Sequence, residues 1–249
     1  MKCEVCVHTN DKQYHMESVS SDRLPSLVSH EDINENTKAN STALGGRIWE
    51  AKHIYWKQES SYQWINDKTI ERMIKAAFLE PSMHTSLVIQ KRNRSMSDAH
   101  IVVNWLGKKD EPYFTSDSIL AFGWGPGRGI GGNITMNADV GWILDGRKIT
   151  VKEAYELGMI ENYDRNHPDN VWRTYDPLHT FKHEGGHALG MKHIETLDEK
   201  LTAIMYPYYN GLRKFGDADL KYIESLYGKA NIRKEVLDYL RLRILNFIS

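Results

Sequence analysis

His183, Glu184 and His187 open an eleven-residue run, His-Glu-Gly-Gly-His-Ala-Leu-Gly-Met-Lys-His, that closes on His193. On a helix, residues four apart share a face one turn above the other, so the first two imidazoles can converge on one ion. Neutral imidazoles hold zinc at about 2.0–2.1 Å, and a three-histidine site leaves one position open, as catalytic rather than structural centres do. Glu184 is rotated about 100° from His183, which puts it beside the ion rather than on it. That is where a general base must stand to take a proton from zinc-activated water. A straight helix would swing His193 away, because ten residues are not a whole number of turns. Gly190 supplies the bend, since glycine takes the left-handed conformation that ends a helix and turns the chain back. A bare pair of histidines four apart is a common accident; five fixed positions are far rarer.

The rest of the chain must position these groups. Its 249 residues, 41% of them hydrophobic and 26% charged, suffice for one well-buried core. The 32 basic and 33 acidic residues leave a formal net charge of −1, with no basic excess to bind nucleic acid. No run of 18 apolar residues exists to form a transmembrane helix. The start, MKCEVCVHTNDKQYH, lacks the apolar stretch of a secretory signal. Cys3 and Cys6 both lie there, so no disulfide framework supports the core, and a C-x-x-C pair without a partner motif carries no assignment.

Residues 1–46 are polar and read as a tail or pro-segment. Aromatic and β-branched residues predict strands at His53–Lys57, Thr85–Gln90, His100–Trp105 and Asn133–Asn137. Asn66-Asp67 should cap a helix with Ile70, Met73, Ile74, Ala77 and Phe78 inside, ended by Pro81. The glycine-rich stretch 123–132 predicts an exposed loop, and no Gly-Lys-Ser/Thr follows to make it a phosphate loop. Further helices are expected at Thr150–Leu157, Leu178–Leu189 and Asp217–Tyr227, with 162–176 irregular. The final stretch, 229–249, places Ile232, Val236, Leu240, Ile244 and Ile248 four apart, an amphipathic helix.

The zinc run, followed by Ala203-Ile204-Met205-Tyr206-Pro207-Tyr208-Tyr209, resembles the metzincin zinc peptidases and is most similar to the matrixins, the matrix metalloproteinase family. The likeness covers about residues 47–228, including the glycine loop and Asp217 to Gly228. It implies an α+β catalytic domain: a mixed, twisted sheet of about five strands, an active-site helix and a C-terminal helix. It implies a zinc endopeptidase with Met205 in the turn beneath the metal and with Pro207 and Tyr209 walling a pocket for an apolar P1′ residue. His179, one turn before His183, either lines that pocket or is an ordinary helix-surface histidine. An extended substrate would pair with the edge of the strand Asn133–Asn137.

Matrixins also hold a structural zinc and calcium, and here the sequence departs. Phe122 and Thr135 stand where the family has zinc-binding histidines, while Asn133, Asn137 and Val140 replace calcium acids. One catalytic zinc and no structural zinc are expected. Calcium would be left with the carbonyls of Gly129 and Gly131 and the Asn133 amide, a poor set for a hard cation. The Pro-Arg-Cys-Gly latency motif is absent from the sequence. Two other readings stay open: a zinc-binding interaction module without turnover, and a metzincin of another branch, which the 143–176 insertion would distinguish. The resemblance implies protein or peptide substrates and an extracellular setting, and leaves the oligomeric state open.

Overall fold

Val and Ile at alternate positions from 101 onward bury one side of the chain and leave the other half-covered, the signature of a strand with one face on a core. The computed structural model describes residues 28–29, 47–92, 99–115, 119–127, 129–194 and 202–230. Eight strands and four α-helices run in the order β1 (Val28–Ser29), β2 (His53–Gln58), α1 (Asp67–His84), β3 (Val88–Lys91), β4 (Ile101–Leu106), β5 (Ala121–Gly123), β6 (Ile134–Asn137), β7 (Ile149–Thr150), α2 (Val151–Glu156), β8 (Val171–Trp172), α3 (Pro177–Ala188) and α4 (Asp217–Tyr227). The main sheet has the order β1-β5-β6-β4-β2-β3. β3, β2, β4 and β6 are mutually parallel, and β5 turns back antiparallel to β6 with Phe122 opposite Thr135. The fold is the α+β arrangement expected, with five strands between residues 53 and 137. The two-residue β1 lies in the stretch read as a tail, and pairs parallel with Phe122 and Gly123.

α1 starts where the sequence predicts, its Asn66 side chain accepting the Thr69 N–H. It does not stop at Pro81 but continues to His84. Proline removes only its own N–H; its carbonyl still accepts both the backbone N–H and the hydroxyl of Thr85, which close the last turn. The apolar face Ile70, Met73, Ile74, Ala77 and Phe78 is buried, and α1 packs on α3. At the centre, Trp105 stacks on Tyr62 at 4.8 Å and meets Trp142 and Phe181 edge-on at 5.8 and 5.7 Å. A separate apolar cluster, Phe114, Ile119 and Phe122 with Leu106, sits under the loop before β5.

Residues 162–176, expected to be irregular, contain β8, which pairs antiparallel with β7 and holds α2 between them. Thr150 caps α2 by accepting the Glu153 N–H. The glycine loop is exposed only at its tip, where Ile130 is 51% exposed. Pro126 and Gly132 are buried, because Trp49 packs where a Cβ on Gly132 would stand. The predicted helix after 230, and Cys3 and Cys6, lie outside the described residues.

Candidate metal centre

α3 carries two glycines in mid-helix, each costing about 1 kcal/mol of helix propensity against alanine. Tertiary packing explains both. A Cβ on Gly186 would stand 2.3 Å from Met205 Sδ, and one on Gly185 would stand 3.1 Å from Phe78. Asp176 caps the helix through the Leu178 N–H, with Pro177 in the first turn. All twelve residues of α3 are buried, so the element is formed by its surroundings as much as by its sequence.

His183 and His187 lie one turn apart on α3, and the left-handed Gly190 (φ 87°) turns the chain so that His193 meets them. The three Nε2 atoms form a nearly equilateral triangle: 3.1 Å between His183 and His187, and 3.2 Å from each to His193. Three nitrogens tetrahedrally disposed about one zinc would be about 3.3 Å apart, so the donor set fits that ion closely. The tautomers agree. His183 Nδ1–H donates to the Ile204 carbonyl at 2.7 Å and His187 Nδ1–H to the Met191 carbonyl at 2.8 Å, leaving each Nε2 with its lone pair inward. Burial, followed by the neighbouring imidazoles, holds the His183 pKa well below its ordinary value; burial likewise brings His187 to about 3. Among the described residues these three form a group of potential ligands close enough to share an ion.

Glu184 is fully buried, and neither carboxylate oxygen has a hydrogen-bond partner. Burial pushes its pKa well above the usual carboxylate range, opposed only in part by the nearby Gly123 amide. Gly123, on β5, must be glycine: a Cβ would lie 2.6 Å from the Glu184 carbonyl and 3.1 Å from its Oε2. β5 therefore runs against the ligand helix.

Met205 is wholly buried beneath Gly186. Its turn is held by Asp219, whose carboxylate accepts the N–H groups of Ile204, Met205 and Gly216 at 2.7, 3.0 and 2.8 Å. The available sequence signal for this role is the position of Asp219 in the first turn of α4, after Gly216. Lys182, buried next to the ligands, pairs with Glu80 of α1 at 2.9 Å, and Glu80 also accepts the Phe215 N–H. Pro207 is buried and Tyr209 half-buried, with the Tyr209 hydroxyl accepting the Asp176 N–H. His179 is not a surface histidine: it is fully buried, its ring edge-on to Tyr209 at 4.6 Å and Nδ1 donating to the Leu212 carbonyl. The strand 133–137 offers no free edge, because β6 is paired on both sides; β5 stands further out.

The sequence model of the matrixin family matches residues 48–228. Over 216 residues the chain is 26% identical to Matrix metalloproteinase-2 of Drosophila melanogaster, covering 85% of this chain and 24% of that protein. It is 27% identical over 182 residues to a probable matrix metalloproteinase, 095L, of Invertebrate iridescent virus 3, covering 70% and 43%. It is 25% identical over 187 residues to the interstitial collagenase of Oryctolagus cuniculus, covering 74% and 34%. The chain thus spans less than half the length of these relatives. No helix among the described residues is long and apolar enough to cross a membrane.

The buried histidines predict an acid-labile apoprotein. Burial lowers the His179 pKa from 6.5 to about 4, so the unfolded chain binds its proton first as the pH falls. Stability of the metal-free chain should be full above about 6.5 and decline towards about 4. His179→Gln should make that decline shallower by about one proton, measured by denaturant titration across the range.

Proposed function

We propose a mechanism from this premise: the chain belongs to the matrixin family, a family of zinc metalloendopeptidases. The proposal is that the chain is itself an active endopeptidase with one zinc, His183, His187 and His193 as ligands and Glu184 as general base. The observation that carries it is the triangle of three inward lone pairs beside a partnerless carboxylate. Zinc at that triangle supplies the Lewis acidity that activates water and polarises a peptide carbonyl. Glu184 takes the proton from the attacking water and passes it to the leaving amine. Its burial suits the first of these duties, because a carboxyl with raised proton affinity is a better acceptor near neutral pH. His183 and His187 contribute by staying neutral and fixed, their Nδ1 protons committed to backbone carbonyls.

Substrate enters as an added strand along β5, beside Glu184, taking the place of the two-residue β1 that pairs there; β5 then offers main-chain groups without side-chain preference. Selectivity then rests with the pocket beyond the ligands, walled by Pro207 and Tyr209 with His179 behind Tyr209. An apolar P1′ side chain suits that environment. The single-metal reading is supported by the packing of Phe122. It sits in the cluster with Phe114 and Ile119, and its cross-strand partner Thr135 offers no imidazole, so aromatic burial holds this region where the family uses metal.

The parallel pairing of Val28–Ser29 with Phe122–Gly123 favours a second proposal, that the N-terminal segment covers the substrate edge and keeps the chain latent.

Glu184→Gln should retain one zinc per chain by elemental analysis yet hydrolyse a fluorogenic peptide library at least about a thousandfold more slowly than the unaltered chain. Near-normal turnover in that variant would refute the general base. Zinc binding without hydrolysis by the unaltered chain, including a form starting near Gly46, would instead favour an interaction module. Two zinc ions per chain would refute the single-metal reading. A chain shortened to begin near Gly46 should cleave faster than the full chain; equal rates would remove the latency proposal.

A further inference from the structure

The bend that delivers His193 is fastened from outside the ligand motif. A helix leaves its last carbonyls without intrahelical partners. Here those of Gly185, Gly186 and His187 are closed locally, by the N–H groups of Leu189, Met191 and Gly190. The next two are not. The Ala188 carbonyl accepts the Trp49 indole N–H at 2.8 Å, and the Leu189 carbonyl accepts the Tyr227 hydroxyl at 2.9 Å. The two donors are themselves joined, the Trp49 backbone N–H donating to the Tyr227 oxygen at 3.1 Å. Burial raises the Tyr227 pKa to about 12, so the hydroxyl keeps its proton for Leu189. The carbonyl of Arg47 fills the space beside Gly190 where a Cβ would stand 2.2 Å away.

This clamp sits on the residues from which two ligands take their orientation. Immediately beyond Leu189 and Gly190 comes Met191, whose carbonyl accepts the His187 Nδ1–H. Two residues later comes His193, followed by Ile194, whose N–H is tied to the Met205 carbonyl. From the end of α3 to Ile194 the path of the chain is thus set by the Gly190 turn and by what holds it.

We propose that Trp49 and Tyr227 are positioning residues for the metal, acting through the 188–191 bend on His187 and His193. The inference rests on the functional reading above, since it concerns affinity for an ion at the same triangle. Trp49 lies before β2 and Tyr227 ends α4, so the fold brings the first described turn of the domain and its last helix together on the ligand segment. Losing a group that hydrogen-bonds a metal ligand directly weakens binding by about ten- to a hundredfold; Trp49 and Tyr227 act one step further out, through backbone carbonyls, so the lower end of that range applies.

The test uses Trp49→Phe and Tyr227→Phe, which keep an aromatic ring and remove the donor; Tyr227→Phe also removes the acceptor of the Trp49 backbone N–H. Zinc affinity is measured by chelator competition, and the ligand field by the absorption spectrum of the cobalt-substituted protein. The expected result is a zinc dissociation constant raised about tenfold in each variant with a shifted cobalt spectrum. In a chain already carrying His193→Ala the same substitutions should cost clearly less, because one of the groups they position is gone. Unchanged zinc affinity and spectrum, or an equal cost in the His193→Ala background, would overturn the proposal. If Trp49→Phe fails to fold, Tyr227→Phe alone decides it. An unaltered chain that binds no zinc would overturn the functional reading, and this inference with it, a result distinct from zinc held equally by all forms.

Discussion

Three imidazole nitrogens held 3.1–3.2 Å apart with their lone pairs converging repel one another unless a cation lies among them. Much of the surrounding structure resists that repulsion. Two rings are fixed by Nδ1 bonds to the carbonyls of Ile204 and Met191. Those carbonyls are fixed in turn, one by the turn that Asp219 holds and the other by the bend at Gly190. Burial keeps His183 and His187 neutral, so these two imidazoles are ready for a metal without first shedding protons. Preorganisation of this kind transfers the cost of assembling the ligands to folding.

Folding can bear that cost because the ligand helix is packed on every side. Its two glycines sacrifice helix propensity, and in return Met205 and Phe78 approach its backbone more closely than any side-chain-bearing residue would allow. The buried Lys182 is compensated by Glu80, which ties α1 to α3 and also binds the segment before α4. Removing Glu80 would leave the buried Lys182 charge alone, which costs far more than the pair contributes. Glu184 is the exception among the buried charges. Its oxygens have no partner, and an unpartnered group of this kind is where a folded protein departs from its own rules in favour of chemistry.

The strands and helices with strong local signals were readable from sequence. Aromatic and β-branched residues located β2 and β4, the Asn66 cap located α1, and three- and four-residue spacing gave its buried face. Errors fell where a local rule met a tertiary partner. Pro81 should end α1, but Thr85 closes the turn behind it. The strand 133–137 looked like an edge because each residue is compatible with one; β5 returns beside it only through a loop whose course no periodicity encodes. The hairpin of β7 and β8 joins two-residue strands separated by α2, too short to show a pattern.

Sequence alone determined the spacing of the three histidines, because 3.6 residues per turn and one glycine constrain His183, His187 and His193 whatever surrounds them. It also determined that positions 122 and 135, occupied by Phe and Thr, offer no imidazole, since donor chemistry belongs to the side chain. Only the tertiary structure decided which strand lies beside Glu184, that His179 is buried behind Tyr209, and that Asp219, Trp49 and Tyr227 fasten the ligand segment. Trp49 and Ala188 are 139 residues apart, and Asp219 and Ile204 are 15. Contacts at such separations depend on how the elements pack, and no local propensity carries that information.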